Sequence, residues 1–307
     1  MRKIYMKSCY KALLGTAMLL TSLTGAAQAE SPELSVKVTP IKANLYLLKG
    51  KGGNVVASIG DDGILIIDDD YVEYAPAYHK ALKTLSKSEG VPRLILNTHW
   101  HFDHVGSNAY WGERGSVIVA NTNVYKRMST RQEMKFIDAV MEPSPAAALP
   151  MVTYGDTITL NFNRDKLRVQ HFPGGHTDGD SVVFFTGENV VHMGDHYFKD
   201  VFPFVDIGSG GNVLGLTANV AAVLKQINEE TVIVPGHGAL ATHAELASYH
   251  QMLVTTTEQV KSKLAQGLSV EAIAEQGLGE EWKSWGQGFI SEPAWIGFIA
   301  ASLPPKQ

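Results

Sequence analysis

His99-Trp100-His101-Phe102-Asp103-His104 constrains this chain more than any other stretch. Three imidazoles and a carboxylate fall within six residues. Neutral imidazole nitrogen and carboxylate oxygen are donors that Zn²⁺ accepts. The hexapeptide follows an apolar run, Arg93-Leu94-Ile95-Leu96-Asn97-Thr98, that reads as a buried strand. A strand end feeding a loop is where a rigid scaffold presents ligands. Alternate residues of an extended chain point the same way, so His99, His101 and Asp103 form one set and His104 faces differently. That geometry suits two adjacent metal ions better than one.

The pattern resembles the His-x-His-x-Asp-His signature of the metallo-β-lactamase superfamily, and four further segments fit in family order. Ile64-Leu65-Ile66-Ile67-Asp68 is a hydrophobic strand closed by an acid. Gly174-Gly175-His176-Thr177-Asp178-Gly179 is a glycine-rich turn with a histidine. Val190-Val191-His192-Met193-Gly194-Asp195 ends a strand on an acid. Val232-Ile233-Val234-Pro235-Gly236-His237-Gly238 places a histidine after a Pro-Gly turn. Several motifs in order carry far more weight than one.

The resemblance implies a ligand set. His99, His101 and His176 hold a first metal; Asp103, His104 and His237 hold a second; Asp195 bridges them. It implies two Zn²⁺ per chain, with a water held between them as the nucleophile and Asp103 as the residue that orients it and shuttles its proton. The metal in vivo, zinc against iron or manganese, stays open. Asp68 and Thr177 are candidates to brace ligand imidazoles. The resemblance also implies a four-layer αββα sandwich, whereas periodicity alone gives only a mixed α/β chain.

Strands are expected over Asn44–Leu48, Val55–Ile59, Ile64–Asp68 and Ser116–Ala120. Helices are expected over Tyr74–Ser86, from Asn121 to about Met141, over Asn212–Ile227, and from Thr242 onward. The expected organisation is a leader over 1–29, the metal-binding domain over 30–240 and a helical extension over 241–307. The leader reading rests on basic residues Arg2, Lys3, Lys7 and Lys11, an apolar run from Ala12 to Leu23, and the small-x-small site Ala27-Gln28-Ala29. It predicts a periplasmic or secreted protein that starts near Glu30 and keeps no stable membrane anchor.

The four basic residues of that leader leave 22 Lys and Arg of 26 against 31 Asp and Glu, a formal charge of −9. Such a chain is a poor partner for nucleic acid or anionic membrane. The single Cys, Cys9, leaves with the leader, so the mature chain has no disulfide and no thiolate for a metal. His192 reads as a core histidine and His196, beside the bridging acid, as pointing elsewhere.

Phe198 and Phe202 either line a hydrophobic mouth or belong to the core. Lys199 is a candidate for a substrate carboxylate, although zinc lactamases with a Cys ligand place a Lys three residues after it and Lys199 is four after Asp195. The Pro-rich stretch 142–150 is either a lid or a stiff linker. The partner expected is a small-molecule substrate, and no oligomeric state is specified. Three functions follow: an exported dizinc hydrolase of a small amide or ester, β-lactam-like or lactone-like; a glyoxalase II-like thioester hydrolase; or a non-catalytic periplasmic metal-binding accessory protein.

Overall fold

The structure, a computed structural model, describes residues 34–304, so the expected leader lies outside the described residues. The first sheet begins as an antiparallel meander of β1 (Lys37–Lys42), β2 (Leu45–Lys49), β3 (Val55–Gly60) and β4 (Gly63–Ile67). Helix α1 (Ala75–Ser86) then carries the chain back, so β5 (Leu94–Leu96) pairs parallel to β4 with Ile66 beside Ile95. Short helices α2 (Phe102–Val105) and α3 (Asn108–Gly112) lead to β6 (Val117–Asn121), parallel to β5. Helix α4 (Thr122–Met128), the hairpin β7 (Gln132–Met134) and β8 (Ala139–Met141), and then β9 (Val152–Tyr154) follow. The sheet order is β1-β2-β3-β4-β5-β6-β9.

The second sheet is β10 (Thr157–Phe162), β11 (Asp165–His171), β12 (Ser181–Phe185) and β13 (Val190–His192), antiparallel in sequence. Helix α5 (Val213–Leu224) crosses over, and β14 (Val232–Val234) joins β13 in parallel. Helices α6 (His243–Ala265), α7 (Val270–Gln276) and α8 (Glu292–Ser302) close the chain. Among the described residues no helix is long and apolar enough to cross a membrane.

The layering follows from side-chain alternation. Central strands such as β4 are apolar at every position, which requires both faces to be covered. Leu65 and Ile67 face Leu167, Val183 and Val190 of the second sheet. Ile64 and Ile66 face Tyr78 and Leu82 of α1 and Trp111 of α3. In the second sheet Val182, Phe184 and Val191 face Val220 and Val223 of α5, Leu253 of α6 and Ile296 of α8. The chain is therefore α/β, with four layers in the order αββα. Each fully buried aliphatic side chain contributes about 1.5–3 kcal/mol.

One expectation is corrected, and one choice left open by the sequence is decided. The helix from Asn121 ends at Met128 rather than near Met141, and a hairpin takes its place. Phe136, Ile137 and Val140 carry helix-like spacing, but Asp138 turns the chain with φ 50°, which no continuing helix adopts. No residue of the Pro-rich stretch 142–150 lines the cavity beside the metal-ligand cluster. Ala147 lies against Gly112 of α3, and Ser144, Pro145 and Ala148 border a separate cavity under Trp100 and Met128. It is a connection and not a lid.

Candidate metal centre

Most of the site's residues sit on the loops that leave the C-terminal ends of the parallel strand pairs, while His176 comes from the turn between β11 and β12. Asp68 follows β4, the histidine loop follows β5, Asp195 follows β13 and His237 follows β14. Parallel pairing puts these ends on one edge of each sheet. Close approach is made possible by two glycines. A side chain at Gly53 would overlap the His104 ring, and one at Gly236 would overlap Asp195 Oδ1.

Asp68 organises the first half. It holds a left-handed backbone, φ 61°, and is fully buried. Its carboxylate accepts from Thr98 N at 2.7 Å, from Thr98 Oγ1 at 2.8 Å, and from His104 Nδ1 at 2.8 Å. Because the Thr98 hydroxyl gives its proton to Asp68, its oxygen accepts from His99 Nδ1 at 3.0 Å. His101 Nε2 donates to Asp206 Oδ2 at 3.1 Å, and His176 Nδ1 donates to the Phe204 carbonyl at 2.7 Å. In each case the outer ring nitrogen carries the proton, and the inner nitrogen is a bare lone pair.

Those lone pairs converge. His99 Nε2 is buried without a hydrogen-bond partner. His101 Nδ1 and His176 Nε2 lie 2.8 Å apart, and His104 Nε2 lies 3.3 Å from His237 Nε2. Two bare nitrogens at such distances need a cation between or beside them. Asp195 links the groups: Oδ2 lies 3.5 Å from His176 Nε2 and 3.8 Å from His99 Nε2, while Oδ1 lies 3.1 Å from His104 Nε2 and 3.4 Å from His237 Nε2. Asp103 Oδ2 completes the second group, 3.3 Å from His237 Nε2 and 3.6 Å from His104 Nε2. His99, His101 and His176 form one candidate ligand trio; Asp103, His104 and His237 form another; and His99, His104 and Asp195 form a third that spans them. The donors are nitrogen and oxygen only, the set that divalent zinc accepts in the absence of thiolate.

The electrostatics call for positive charge at this point. Burial opposes ionisation of Asp195, yet His104, His237, His176 and His99 hold its carboxyl well below the usual range. Burial opposes a proton on His104, but Asp195, Asp103 and Asp68 draw its affinity well upward. Burial likewise opposes a proton on His237, but Asp195 and Asp103 push it up to about 9. Burial lowers His176 to about 4, and lowers His99 far below its ordinary value. A metal cation would replace the protons that His104 and His237 attract.

The cluster forms part of the wall of a cavity of about 430 Å³ lined by Lys51, Tyr71, Phe102, Met134, Ile137, Phe198, Phe204 and Phe289, together with His101, Asp103, Asp195 and His237. Phe198 stacks on His237 at 5.0 Å and 15°. Three residues singled out from sequence lie elsewhere. Phe202 is core, stacked on Trp295 at 5.6 Å. Lys199 Nζ is held by Glu245 at 2.6 Å and the Leu240 carbonyl at 3.0 Å, so it does not face the cavity. Thr177 binds Asp180 through its hydroxyl and its amide, and braces no imidazole.

His192 is a core histidine bonded to the Asn54 carbonyl. His196 turns away from the cluster onto Asn219, 3.1 Å away. Asp206, Thr98 and the Phe204 carbonyl were not read from sequence. Thr98 could have been, since it adjoins His99; Asp206 lies 105 residues from the His101 it orients.

The sequence profile of the metallo-β-lactamase superfamily matches residues 38–237. A probable metallo-hydrolase of Bacillus subtilis (strain 168), YqgX, is 26% identical over 207 residues, covering 66% of this chain and 87% of its own. A metallo-β-lactamase from Pontibacter korlensis superposes with a TM-score of 0.58 at 18% identity, over 71% of this chain and 99% of its own. The sec-alkylsulfatase Pisa1 from Pseudomonas sp. superposes with a TM-score of 0.66 at 14% identity, over 86% of this chain and 49% of its own. At such identities the two structures speak for the fold alone.

Proposed function

The chain belongs to the metallo-β-lactamase superfamily, and from that membership we propose that it is an exported dinuclear-zinc hydrolase that cleaves a small amide or ester, β-lactam-like or lactone-like. The observation that carries the reading is the set of inward lone pairs. Four imidazoles have their outer nitrogens engaged by Asp68, Thr98, Asp206 and the Phe204 carbonyl, and their inner nitrogens meet two carboxylates beside an open cavity. A non-catalytic metal store has no need of that cavity.

His99, His101 and His176 would hold one ion, Asp103, His104 and His237 the other, and Asp195 both. Bound there, the pair would supply Lewis acidity to a substrate carbonyl and acidify water near neutral pH. The residues do the rest. Asp103 Oδ2 borders the cavity and is placed to take a proton from the attacking water and return it to the departing atom. Asp195 fixes the separation of the two groups, and Phe198 restrains the His237 ring. Phe204, Met134 and Ile137 keep water from one side of the reacting carbonyl.

A glyoxalase II-like thioesterase shares the ligand set, but its glutathione-type substrate needs cations, and Lys51 is the one Lys or Arg among the cavity-lining residues. The test is elemental analysis of zinc-replete protein joined to a panel of cephalosporin, lactone, thioester, phosphoester and sec-alkyl sulfate substrates. Two zinc ions per chain and chelator-sensitive turnover of an amide, ester or lactone are expected. One ion or none in a folded sample, or turnover confined to thioester, phosphoester or sulfate, would refute the reading.

A further inference from the structure

We propose that the cavity beside the ligand cluster binds an apolar acyl arm of the substrate, lying against Phe204, Ile137 and Phe289. The reacting carbonyl rests on the hydrolase reading above; the arm is argued from other residues. Phe204 is nearly buried, with its ring centroid 5.7 Å from His101 and 5.6 Å from His176. Phe289 lies 6.0 Å from Phe204 yet is 67% exposed. Phe136 stands behind both, 5.4 Å from Phe204 and 5.9 Å from Phe289. A single exposed phenylalanine is ordinary on a protein surface. A contiguous run of rings that leads from solvent to ligand imidazoles is an unfilled apolar contact surface.

Charge placement supports the same assignment. Lys51 Nζ lies 5.3 Å over the Tyr71 ring and 4.0 Å from Glu73, and its backbone amide is bound by Asp70. Lys51 is the one Lys or Arg among the cavity-lining residues, and its ammonium partners Tyr71 and Glu73 rather than Phe204, Ile137 or Phe289. Lys199, the other candidate, is engaged by Glu245. The glycine-rich turn Gly50–Gly53 adds no apolar side chain, so this apolar wall comes from the segment after β13, the β7–β8 hairpin and the segment before α8. A charged group would be left unpaired on that wall, whereas a hydrocarbon or aryl chain would be desolvated favourably.

The test titrates metal-loaded, full-length mature protein calorimetrically with unbranched carboxylates from butanoate to decanoate, which present a product-like carboxyl on arms of rising length. Affinity should rise about fourfold per added methylene until the arm outgrows the cavity. Phe289→Ala and Ile137→Ala should at least halve that increment in free-energy terms. Met151→Ala, at an exposed apolar residue elsewhere, should preserve it. A flat series in the wild type, or an unchanged increment in both cavity variants, would overturn the proposal. A rising series without turnover of any amide, ester or lactone would refute the hydrolase and leave the arm site standing. Turnover with a flat series would do the reverse.

Discussion

Asp68→Asn isolates the imidazole-bracing role of Asp68 from its role in the backbone. Asparagine is isosteric and tolerates the left-handed conformation at φ 61°, so little strain is added. Its carbonyl oxygen can still accept from Thr98 N. Its NH₂ group then replaces Oδ2, which accepts from both Thr98 Oγ1 and His104 Nδ1. Donor would face donor. The least costly relief moves the His104 proton from Nδ1 to Nε2, the nitrogen 3.1 Å from Asp195 and 3.3 Å from His237.

A protonated Nε2 cannot ligate, so the site of Asp103, His104 and His237 should weaken more than that of His99, His101 and His176, which feels the change only at one remove, through the Thr98 hydroxyl that loses the same acceptor. Loss of an orienting partner typically costs about 10- to 100-fold in metal affinity, or about 1.4–2.7 kcal/mol. Competition against a chromogenic chelator resolves the two binding steps, and near-ultraviolet circular dichroism checks the fold. Wild-type affinity at both steps in a folded Asp68→Asn protein would refute the tautomer argument. Equal weakening of both steps would refute its selectivity.

Asp195→Ala should lower second-metal occupancy and cut turnover by orders of magnitude, whereas His196→Ala should keep both metals; metal counts and kcat on the two proteins decide, and a metal lost from His196→Ala alone would shift the ligand assignment by one residue. Thr177→Val should leave metal affinity unchanged but destabilise the fold by about 1–3 kcal/mol, because a buried Asp180 oxygen loses its donor, as denaturant titration would reveal. Burial lowers His196 to about 3, so the folded state keeps it neutral. Its contribution is fully present above the unfolded value of 6.5 and is lost as pH falls toward 3, by up to about 1.4 kcal/mol per unit. Metal-free His196→Gln should therefore show a flatter acid limb than metal-free wild type in unfolding curves. N-terminal sequencing of exported protein should begin at or near Glu30; full-length protein confined to the cytoplasm would sink the export reading.

Much of the centre is visible in sequence because its ligands sit on strand ends, where an apolar run meets a turn. Asp68, His99 and Asp195 are recognisable for that reason. The bracing groups are less visible. Asp206 reaches His101 across 105 residues, and the Phe204 carbonyl has no side-chain signature at all. Thr177 looks like a brace because it adjoins His176, but its hydroxyl is nearer to Asp180 along the same turn. The α4 overshoot has a similar origin. The apolar residues that mimic a helical stripe after Met128 serve a two-stranded hairpin, whose partner strand a linear reading does not see. Phe198 and Phe202, four apart, part company because one stacks on His237 and the other on Trp295.

The bridging position of Asp195 also bears on how the protein comes to be loaded. Each sheet supplies only part of the centre: His99, His101, Asp103 and His104 come from the first, and His176, Asp195 and His237 from the second. Neither a nascent N-terminal half nor an isolated second sheet can present a complete trio around either ion. Tight metal capture at the proposed centre would thus be a late event that reports the docking of one sheet against the other. Once captured, the two proposed ions would act as a clasp across that seam, so stripping them should loosen the junction between sheets before it disturbs either sheet itself.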